Sequence, residues 1–257
     1  MPPCTEPLEV SELVALADRG WPAPETVSVA GWSARFAAGV TKRANSVWPR
    51  EAVGDAVTAI EQVEPLYRAR GIRPAFQLTD SDRALERTLR ARGYDAVDET
   101  LIMVRTGCHE LQHTHAETTG SVRFADEPAE EWLEVWWDVD GRGGAAEREV
   151  ARRIMTGVPA LYATLSDGGD GSVACVGRLA LVGGRGGLYA VATRADARRR
   201  GHARTLLMAL IAAAADRGMS DLWLQVLADN TAAVALYRSL GFSPAGGYRY
   251  LVAPLPG

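Results

Sequence analysis

Lysine is almost absent from this sequence, since Lys42 is the only lysine among the 28 basic residues of the 257-residue chain. The other basic residues are arginines, and 32 acidic residues leave a formal net charge of −4. An acidic protein has no general attraction for nucleic acid, so any anion-binding site must be built locally. We therefore expect no nucleic-acid partner.

Cysteine is scarce as well, and no two cysteines form a C-x-x-C pair. Cys4, Cys108 and Cys175 are odd in number and widely spaced, which argues against a disulfide framework or a zinc ribbon. Cys108 begins a C-H-x3-H-x-H cluster at residues 108–115 that could bind a metal, but no second ligand pair stands at a standard spacing. We interpret the cysteines as free thiols and the cluster as a solvated linker, and we expect no metal.

Long hydrophobic runs are missing, because no apolar stretch approaches the roughly 18 residues that span a bilayer. The first ten residues, MPPCTEPLEV, lack the basic and apolar regions of a secretory signal. We expect a cytoplasmic protein that does not cross a membrane. Hydrophobic residues at 47% and charged residues at 23% describe a globular protein, and the length suits one large domain or two ordinary ones.

A polar, aperiodic segment, CHELQHTHAETTG, separates two stretches of readable periodicity. It predicts a first domain at residues 1–107, a linker at 108–120 and a second domain at 121–257. In the first half we predict helices over residues 10–19, 55–69 and 82–92, with strand segments over 27–40, 75–78 and 101–104. In the second half we predict helices over 127–139, 145–155, 203–217 and 231–240, with strands over 122–124, 161–164, 173–181, 188–192, 222–227 and 248–252.

A short internal repeat links the two halves. Phe76-Gln77-Leu78 matches Leu224-Gln225-Val226, and Gly93-Tyr94 matches Gly241-Phe242, with the same offset of 148 positions. Two copies of a β-α-β unit are the simplest interpretation, and coincidence is the alternative. Strand–helix alternation in both halves favours an α/β sheet.

The most informative stretch is VATRADARRRGHAR at residues 191–204, between a predicted strand and an amphipathic helix. It is neither a Walker loop nor a G-x-G-x-x-G fingerprint. A helix N-terminus offers unpaired N–H groups, Gly201 and Ala203 permit close backbone approach, and arginines add charge. This pattern predicts a pyrophosphate site, and a solvated arginine-rich loop is the alternative.

A second motif, LQVLADNTAAVALYRSLGF at residues 224–242, places Asn230 at a helix start and Tyr237 two turns later on the same face. Alone, Asn230 would be an N-cap and Tyr237 a core residue beside Ala233 and Leu240. Together with the preceding loop, this motif resembles the GNAT superfamily of N-acetyltransferases over residues 187–252. The residues that match its two signatures are Arg198, Gly201 and Ala203, then Asn230, Ala233, Leu236, Tyr237, Gly241 and Phe242.

The resemblance implies an α/β (α+β) fold of two GNAT-like domains, each a mixed, mostly antiparallel sheet flanked by helices, as in tandem members of the superfamily. Residues 121–186 fit the variable acceptor half. The first copy departs from the pattern, with Asp82 in place of Asn230 and Leu89 in place of Tyr237. No R-x-x-G-x-[GA] turn occurs over residues 40–55. We expect that copy to be catalytically silent.

The resemblance also implies acetyl-CoA as cosubstrate and direct attack by an amine in a ternary complex. Backbone N–H groups of Val191, Ala192 and Thr193 would bind pantetheine and polarise the acetyl carbonyl. Tyr237 would be the general acid at sulfur, and Asn230 would fix the coenzyme arm. The residues expected around the pyrophosphate are Arg198, Arg199, Arg200, Gly201, His202, Ala203 and Arg204.

The general base has no motif. Its candidates are Glu127, Glu130, Glu131, Glu134 and Asp138 on the first helix of the second half, and Tyr189. On that helix Trp132, Trp136 and Trp137 could line an apolar acceptor pocket, with at least one in the core. The unusual segment RANSVWP, residues 43–49, indicates a packing or acceptor-facing role, and a buried Trp48 in a turn is the simpler interpretation.

The favoured function is acetylation of a small-molecule amine by a monomer or homodimer. Two alternatives stay open: acetylation of a peptide or protein N-terminus, and a module that senses acetyl-CoA without turnover.

Overall fold

The computed structural model describes residues 8–107, 122–167 and 171–255. The first of these ranges contains α1 (Val10–Gly20), β1 (Glu25–Val29), β2 (Trp32–Phe36), β3 (Val47–Trp48), α2 (Ala56–Arg68), β4 (Ala75–Leu78), α3 (Arg83–Ala91) and β5 (Asp95–Thr106). The other two contain β6 (Val122–Ala125), α4 (Glu130–Asp140), α5 (Ala145–Thr156), β7 (Ala160–Ser166), β8 (Val173–Val182), β9 (Arg185–Thr193), α6 (His202–Asp216), β10 (Asp221–Leu227), α7 (Thr231–Ser239) and β11 (Ser243–Val252).

The predicted α/β class with a mixed, mostly antiparallel sheet is confirmed. The strands form one sheet in the order β1-β2-β3-β4-β11-β5-β10-β9-β8-β7-β6. Its pairs are antiparallel, apart from β3 with β4 and β9 with β10, which are parallel. Helices cover both faces, which is how a large mixed sheet buries its apolar side chains.

The main differences from the predicted elements lie in the first half of the chain. Residues 27–40 form a hairpin rather than one strand segment, because Ala30 and Gly31 take positive φ values of 50° and 85° and turn the chain. Strand β3 has only two residues, too few for a readable alternation. Strand β5 begins at Asp95 rather than at residue 101. The prediction missed its first half because most of those residues are exposed or half-buried and several carry charged side chains.

The central strands of the two halves interleave. Strand β11 lies between β4 and β5, where Tyr250 pairs with both Gln77 and Val97. Strand β5 in turn lies between β11 and β10, where Met103 pairs with both Leu224 and Pro244. Each half therefore completes the sheet of the other. The domain division stays a prediction, and its linker, residues 108–120, lies outside the described residues.

The predicted β-α-β copies are the units β4-α3-β5 and β10-α7-β11. Helix α6, which precedes the second unit in the chain, packs its apolar stripe on β8 and buries Leu206, Leu207 and Leu210 completely. Burial of each such side chain contributes about 1.5–3 kcal/mol. The approach is close, since a Cβ on Gly177 of β8 would lie 2.6 Å from Leu206 Cδ2. This packing fixes the start of α6 beside the end of β9.

The opposite face carries α1, α4 and α5, whose buried side chains form a second cluster with β8 and β9. Within the described ranges, no helix is long and apolar enough to span a bilayer. The site lies between the two helical layers, where the sheet is interrupted.

Candidate active site

Strands β9 and β10 pair over only three positions before they diverge. The pairs are Gly186–Leu222, Gly187–Trp223 and Leu188–Leu224. Just beyond them, Ala190 takes a positive φ of 52°, and the pairing of β9 with β8 shifts register. Such a bulge bends a strand away from its neighbour. The backbone of β9 after Leu188 therefore faces a gap in the sheet on its β10 side.

A cleft of about 680 Å³ occupies this gap and takes its lining from both faces of the sheet. Its lining includes Val191, Asn230 and Tyr237 on the α6 side of the sheet, and Trp136 and Asp140 on the α4 side. The remaining lining residues are Trp21, Gly39, Val40, Thr41, Lys42, Arg43, Asp98, Thr100, Val139, Arg142, Leu188, Tyr189, Ala190, Gln225, Val226, Leu227, Ala233, Tyr248 and Tyr250.

Helix α6 begins at the predicted phosphate loop with an open N-terminus. Its N-cap, Gly201, has a φ of +83° and provides no side-chain cap. Apart from Gly201 and its two chain neighbours, no heavy atom of the described residues lies within 4 Å of where a Cβ on Gly201 would stand. The unpaired N–H groups of a first helical turn favour an anion. The geometry thus leaves room for a phosphate at this helix start.

The loop arginines are exposed and make single polar contacts. Arg198 Nε donates to the Thr193 carbonyl at 3.3 Å, and Arg204 Nη1 donates to Ser239 Oγ at 2.8 Å. Arg200 pairs with Asp167 at 2.9 Å. Exposed pairs of this kind are worth about 0–1 kcal/mol. These arginines can therefore exchange their contacts for a phosphate at little cost.

Asn230 and Tyr237 both line the cleft, the first at the start of α7 and the second within it. Asn230 Oδ1 accepts the backbone N–H of Ala233 at 3.1 Å, so this side chain caps α7 as well as lining the cleft. The Tyr237 ring packs edge-on against Phe242, with centroids 6.2 Å apart. Burial, followed by the nearby Cys175 and Asp140, raises the pKa of Tyr237 to about 12. The phenol is therefore protonated at neutral pH.

Asp140 is a cleft carboxylate that sequence reasoning missed. It is the last residue of α4 and stays accessible to solvent. Partial burial of the carboxylate raises the pKa of Asp140. Arg142, Arg43 and the indole of Trp136 oppose that rise. A carboxylate at the end of an acidic helix resembles an ordinary surface residue in sequence, so no pattern marked it.

The predicted base candidates fall mostly outside the cleft. None of the five acidic candidates lines it, and Glu130 instead pairs with Arg148 at 2.7 Å. Tyr189 does line it, but its hydroxyl donates to the Ala17 carbonyl at 3.0 Å and accepts from Trp223 Nε1 at 3.1 Å. Burial raises the pKa of Tyr189 to about 12. Among these groups, Asp140 is the best placed to accept a proton.

The first half of the chain supplies one wall of the cleft through the loop at residues 39–43. Buried Asn45 fixes that loop, because its Oδ1 accepts from Ala37 N at 2.8 Å and from Gly39 N at 2.9 Å. Its Nδ2 donates to the Thr41 carbonyl at 2.7 Å. The segment RANSVWP therefore presents Arg43 to the cleft, while Trp48 is only half-buried on β3.

The tryptophans of α4 divide between core and cleft. Trp132 is buried, and its Nε1 donates to the Ala163 carbonyl at 3.0 Å. Trp136 lines the cleft and packs on Trp21 with centroids 6.3 Å apart. Trp137 is half-buried and lies outside the lining. One of the three predicted pocket residues thus reaches the cleft.

Cys175 is buried on β8 and lies 3.2 Å from Thr193 Oγ1. Burial raises the pKa of its thiol to about 11, so little thiolate exists at neutral pH. Among the described residues, no group of three or more His, Cys, Asp or Glu side chains could hold a metal. Cys4, Cys108 and the cluster at 108–115 lie outside the described residues.

Comparison with known proteins places the chain in a family. Residues 9–251 match the family model described as "Probable histone acetyltransferase Rv0428c C-terminal". A relative from Bacillus subtilis (strain 168), described as uncharacterized N-acetyltransferase YobR, is 26% identical over 245 residues, covering 95% of this chain and 98% of its own.

Two further proteins are similar either over a short segment or in fold alone. The [Ribosomal protein bS18]-alanine N-acetyltransferase of Escherichia coli (strain K12) is 48% identical over 58 residues, 23% of this chain and 39% of its own. The solved GCN5-related N-acetyltransferase from Kribbella flavida has a TM-score of 0.69 at 14% identity and covers 96% of both chains, which establishes the fold. The chain therefore belongs to the Rv0428c C-terminal family and is an acetyltransferase of the GNAT type.

Proposed function

We propose that this acetyltransferase moves an acetyl group from acetyl-CoA to the amine of a small molecule, by direct attack in a ternary complex. The observation that carries the proposal is the cleft through the gap between β9 and β10. The open start of α6 lies next to that gap in the chain, and a proton donor, Tyr237, lines it.

The described residues fit a coenzyme diphosphate. The uncapped first turn of α6 offers N–H donors, the empty space at Gly201 permits close approach, and four arginines of residues 191–204 are exposed. Charge-assisted hydrogen bonds contribute about 1.5–3 kcal/mol each, enough for several of them to hold a diphosphate on an acidic protein. Arg198, Arg199, Arg200 and Arg204 are the residues assigned to this role.

The gap fits the acyl-bearing arm. Acetyl-CoA supplies an activated thioester when bound. Backbone N–H groups near Val191 follow the last residue of β9 that pairs with β10, and they would orient the arm and polarise the acetyl carbonyl, a contribution of about 3 kcal/mol for one such donor. Tyr237, protonated at neutral pH, donates to the departing sulfur. The protonated thiol of Cys175 argues for direct attack rather than a covalent acyl-enzyme.

Asp140 is proposed as the group that takes the proton from the attacking amine. We expect Asp140→Asn to lower kcat about tenfold, below the usual general-base contribution, because water can reach an exposed carboxylate. The affinity for acetyl-CoA should not change. Steady-state rates with any accepted amine measure the effect. Asp138→Asn, two residues away on the same helix and outside the cleft, is the matched control and should retain full activity. Equal rates for both variants would remove Asp140 from this role.

A small acceptor is favoured because the cleft, lined in part by the loop at residues 39–43 and by the end of α4, has a volume of about 680 Å³ that suits a small molecule. The second candidate, acetylation of a peptide N-terminus, is favoured by the local likeness to the ribosomal-protein acetyltransferase. A panel of free amines and peptides, read by thiol release from acetyl-CoA, separates them. If no amine or peptide of the panel supports thiol release although acetyl-CoA binds tightly, a sensing module is favoured.

The first half is proposed to lack a coenzyme site of its own. Its helix α2 corresponds to α6, but the Asp55 carboxylate already caps it and accepts from Val57 N at 3.0 Å and Thr58 N at 3.1 Å. A carboxylate in this position repels a phosphate. One coenzyme per chain is therefore the expected stoichiometry in calorimetry.

A further inference from the structure

Arg43 presents a cation to the cleft on the α4 side of the sheet. Its guanidinium lies over the ring of Tyr189 at 5.3 Å and over that of Trp21 at 5.7 Å. The hydroxyls of Tyr248 and Tyr250 are its other polar neighbours. Aromatic faces stabilise a guanidinium without neutralising it. The cleft thus contains a positive charge in a largely aromatic wall.

This cation has no carboxylate within ion-pair distance in the described part of the chain. Its Nε is buried without a hydrogen bond to any described atom. Among the other cations of the cleft, Lys42 pairs with Asp98, while Arg142, like Arg43 itself, acts electrostatically on Asp140 without an ion pair among the described residues. A charge removed from water is costly unless it is paired, so Arg43 is suited to an anion that arrives with a ligand.

Arg178 is a useful contrast, because it is also buried without a carboxylate. It donates to the Gly20 carbonyl at 2.8 Å and does not line the cleft. Its contacts hold α1 against β8. Arg43 differs in being accessible from the same space as Asp140 and Tyr237.

We propose that the acceptor of the proposed acetyl transfer carries a carboxylate that Arg43 binds, so that the substrate class is free amino acids and amino-acid-like amines. This inference rests on the proposed function and narrows it. A guanidinium binds a carboxylate through two parallel hydrogen bonds, which fixes the orientation of the ligand. The amine is then directed to Asp140 and the gap, and an apolar side chain can contact Trp21 or Trp136.

The inference separates amino acids from peptide N-termini. In a peptide the α-amine is followed by a neutral amide in the position of the carboxylate. An amide cannot form an ion pair, so Arg43 would remain unpaired in that complex. Small free acids should therefore be acetylated in preference to their amides.

The test compares the L-amino acids with their L-amino acid amides as acceptors of the full chain. For the best acid, we expect kcat/KM to exceed that of its amide by about 30-fold. The amine of the amide is the less basic and is more often neutral, so its chemistry works against the expected result. In Arg43→Gln this ratio should fall to about threefold or less, through a rise in KM for the acid, with KM for acetyl-CoA unchanged.

Two further variants guard the test against misfolding. Arg43→Lys retains the charge without the two-pronged geometry and should give an intermediate ratio. Arg50→Gln, an exposed arginine stacked on Trp48 at 4.8 Å and outside the cleft, should behave as wild type. The ratio of kcat/KM for the acid to that for its amide is measured first on the wild-type chain, so that part of the test does not depend on the folding of any variant.

Calorimetric titration with acetyl-CoA comes first, because absent binding overturns the proposed function itself. If acetyl-CoA binds, three results overturn only the role of Arg43: amides used as well as acids, equal losses on both in Arg43→Gln, or no amino acid acetylated at all. A ratio that collapses in Arg43→Gln and survives in Arg50→Gln supports it.

Discussion

Gly201→Glu is expected to abolish measurable binding of acetyl-CoA. Gly201 has a φ of +83° and open space where a Cβ would stand, so a side chain there enters the proposed phosphate position. A glutamate would also bring a carboxylate to the start of α6, as Asp55 does for α2. Loss of several charge-assisted contacts should raise Kd by at least about 100-fold, as calorimetry can measure.

The matched control is Gly218→Glu at the other end of α6. Gly218 also has a positive φ, 69°, and open space at its Cβ position, so both variants carry similar backbone strain and the same added charge. We expect Gly218→Glu to lose stability and to retain coenzyme affinity. Gly201→Ala, which adds strain without charge, should weaken binding far less than the glutamate. Retained affinity in Gly201→Glu would show that the phosphate binds elsewhere.

Tyr237→Phe is expected to lower kcat about 100-fold, the low end for removal of a general acid. The variant keeps the ring that packs on Phe242 and removes only the hydroxyl. Because Asn230, Val191 and the start of α6 are unchanged, the dissociation constant of acetyl-CoA should stay within about twofold. Rapid-mixing rates at saturating acceptor and calorimetry measure the two quantities.

The pH dependence adds a second readout for Tyr237. Since the phenol has a pKa of about 12, it keeps its proton across the neutral range, and its ionisation should limit turnover only near that pH. Any alkaline decline at lower pH must come from another group and should persist in Tyr237→Phe. A variant with wild-type kcat would exclude the phenol as proton donor.

The features that a single contiguous segment encodes could be predicted from the sequence. The loop at residues 191–204 is one such segment, and the pattern of Gly201 before an apolar stripe predicts its open helix start. Helices α1 and α5 begin at their predicted residues, because their periodicity and termini are local. The same holds for Tyr237, which reaches the cleft from the helix that the motif defines.

The part of the cleft around Arg43 and Asp140 could not be predicted, because it is formed by distant parts of the chain. Arg43 comes from a loop of the first half, Asp140 from the end of α4, and Tyr248 and Tyr250 from β11. Each is unremarkable in its own segment. Only the pairing of β11 with β5, and the turn that Asn45 holds, bring these side chains around one space. Neither leaves a periodic signal.

The interleaved order β4-β11-β5-β10 bears on how the protein is made. During synthesis, β5 emerges before either of its eventual neighbours exists, and β4 waits for a partner from residues 243–252. Such long-range pairing slows folding and leaves strand edges open to aggregation. The first half therefore leaves the ribosome with unpaired strand edges until β11 has been synthesised, and expression of either half alone should give insoluble material.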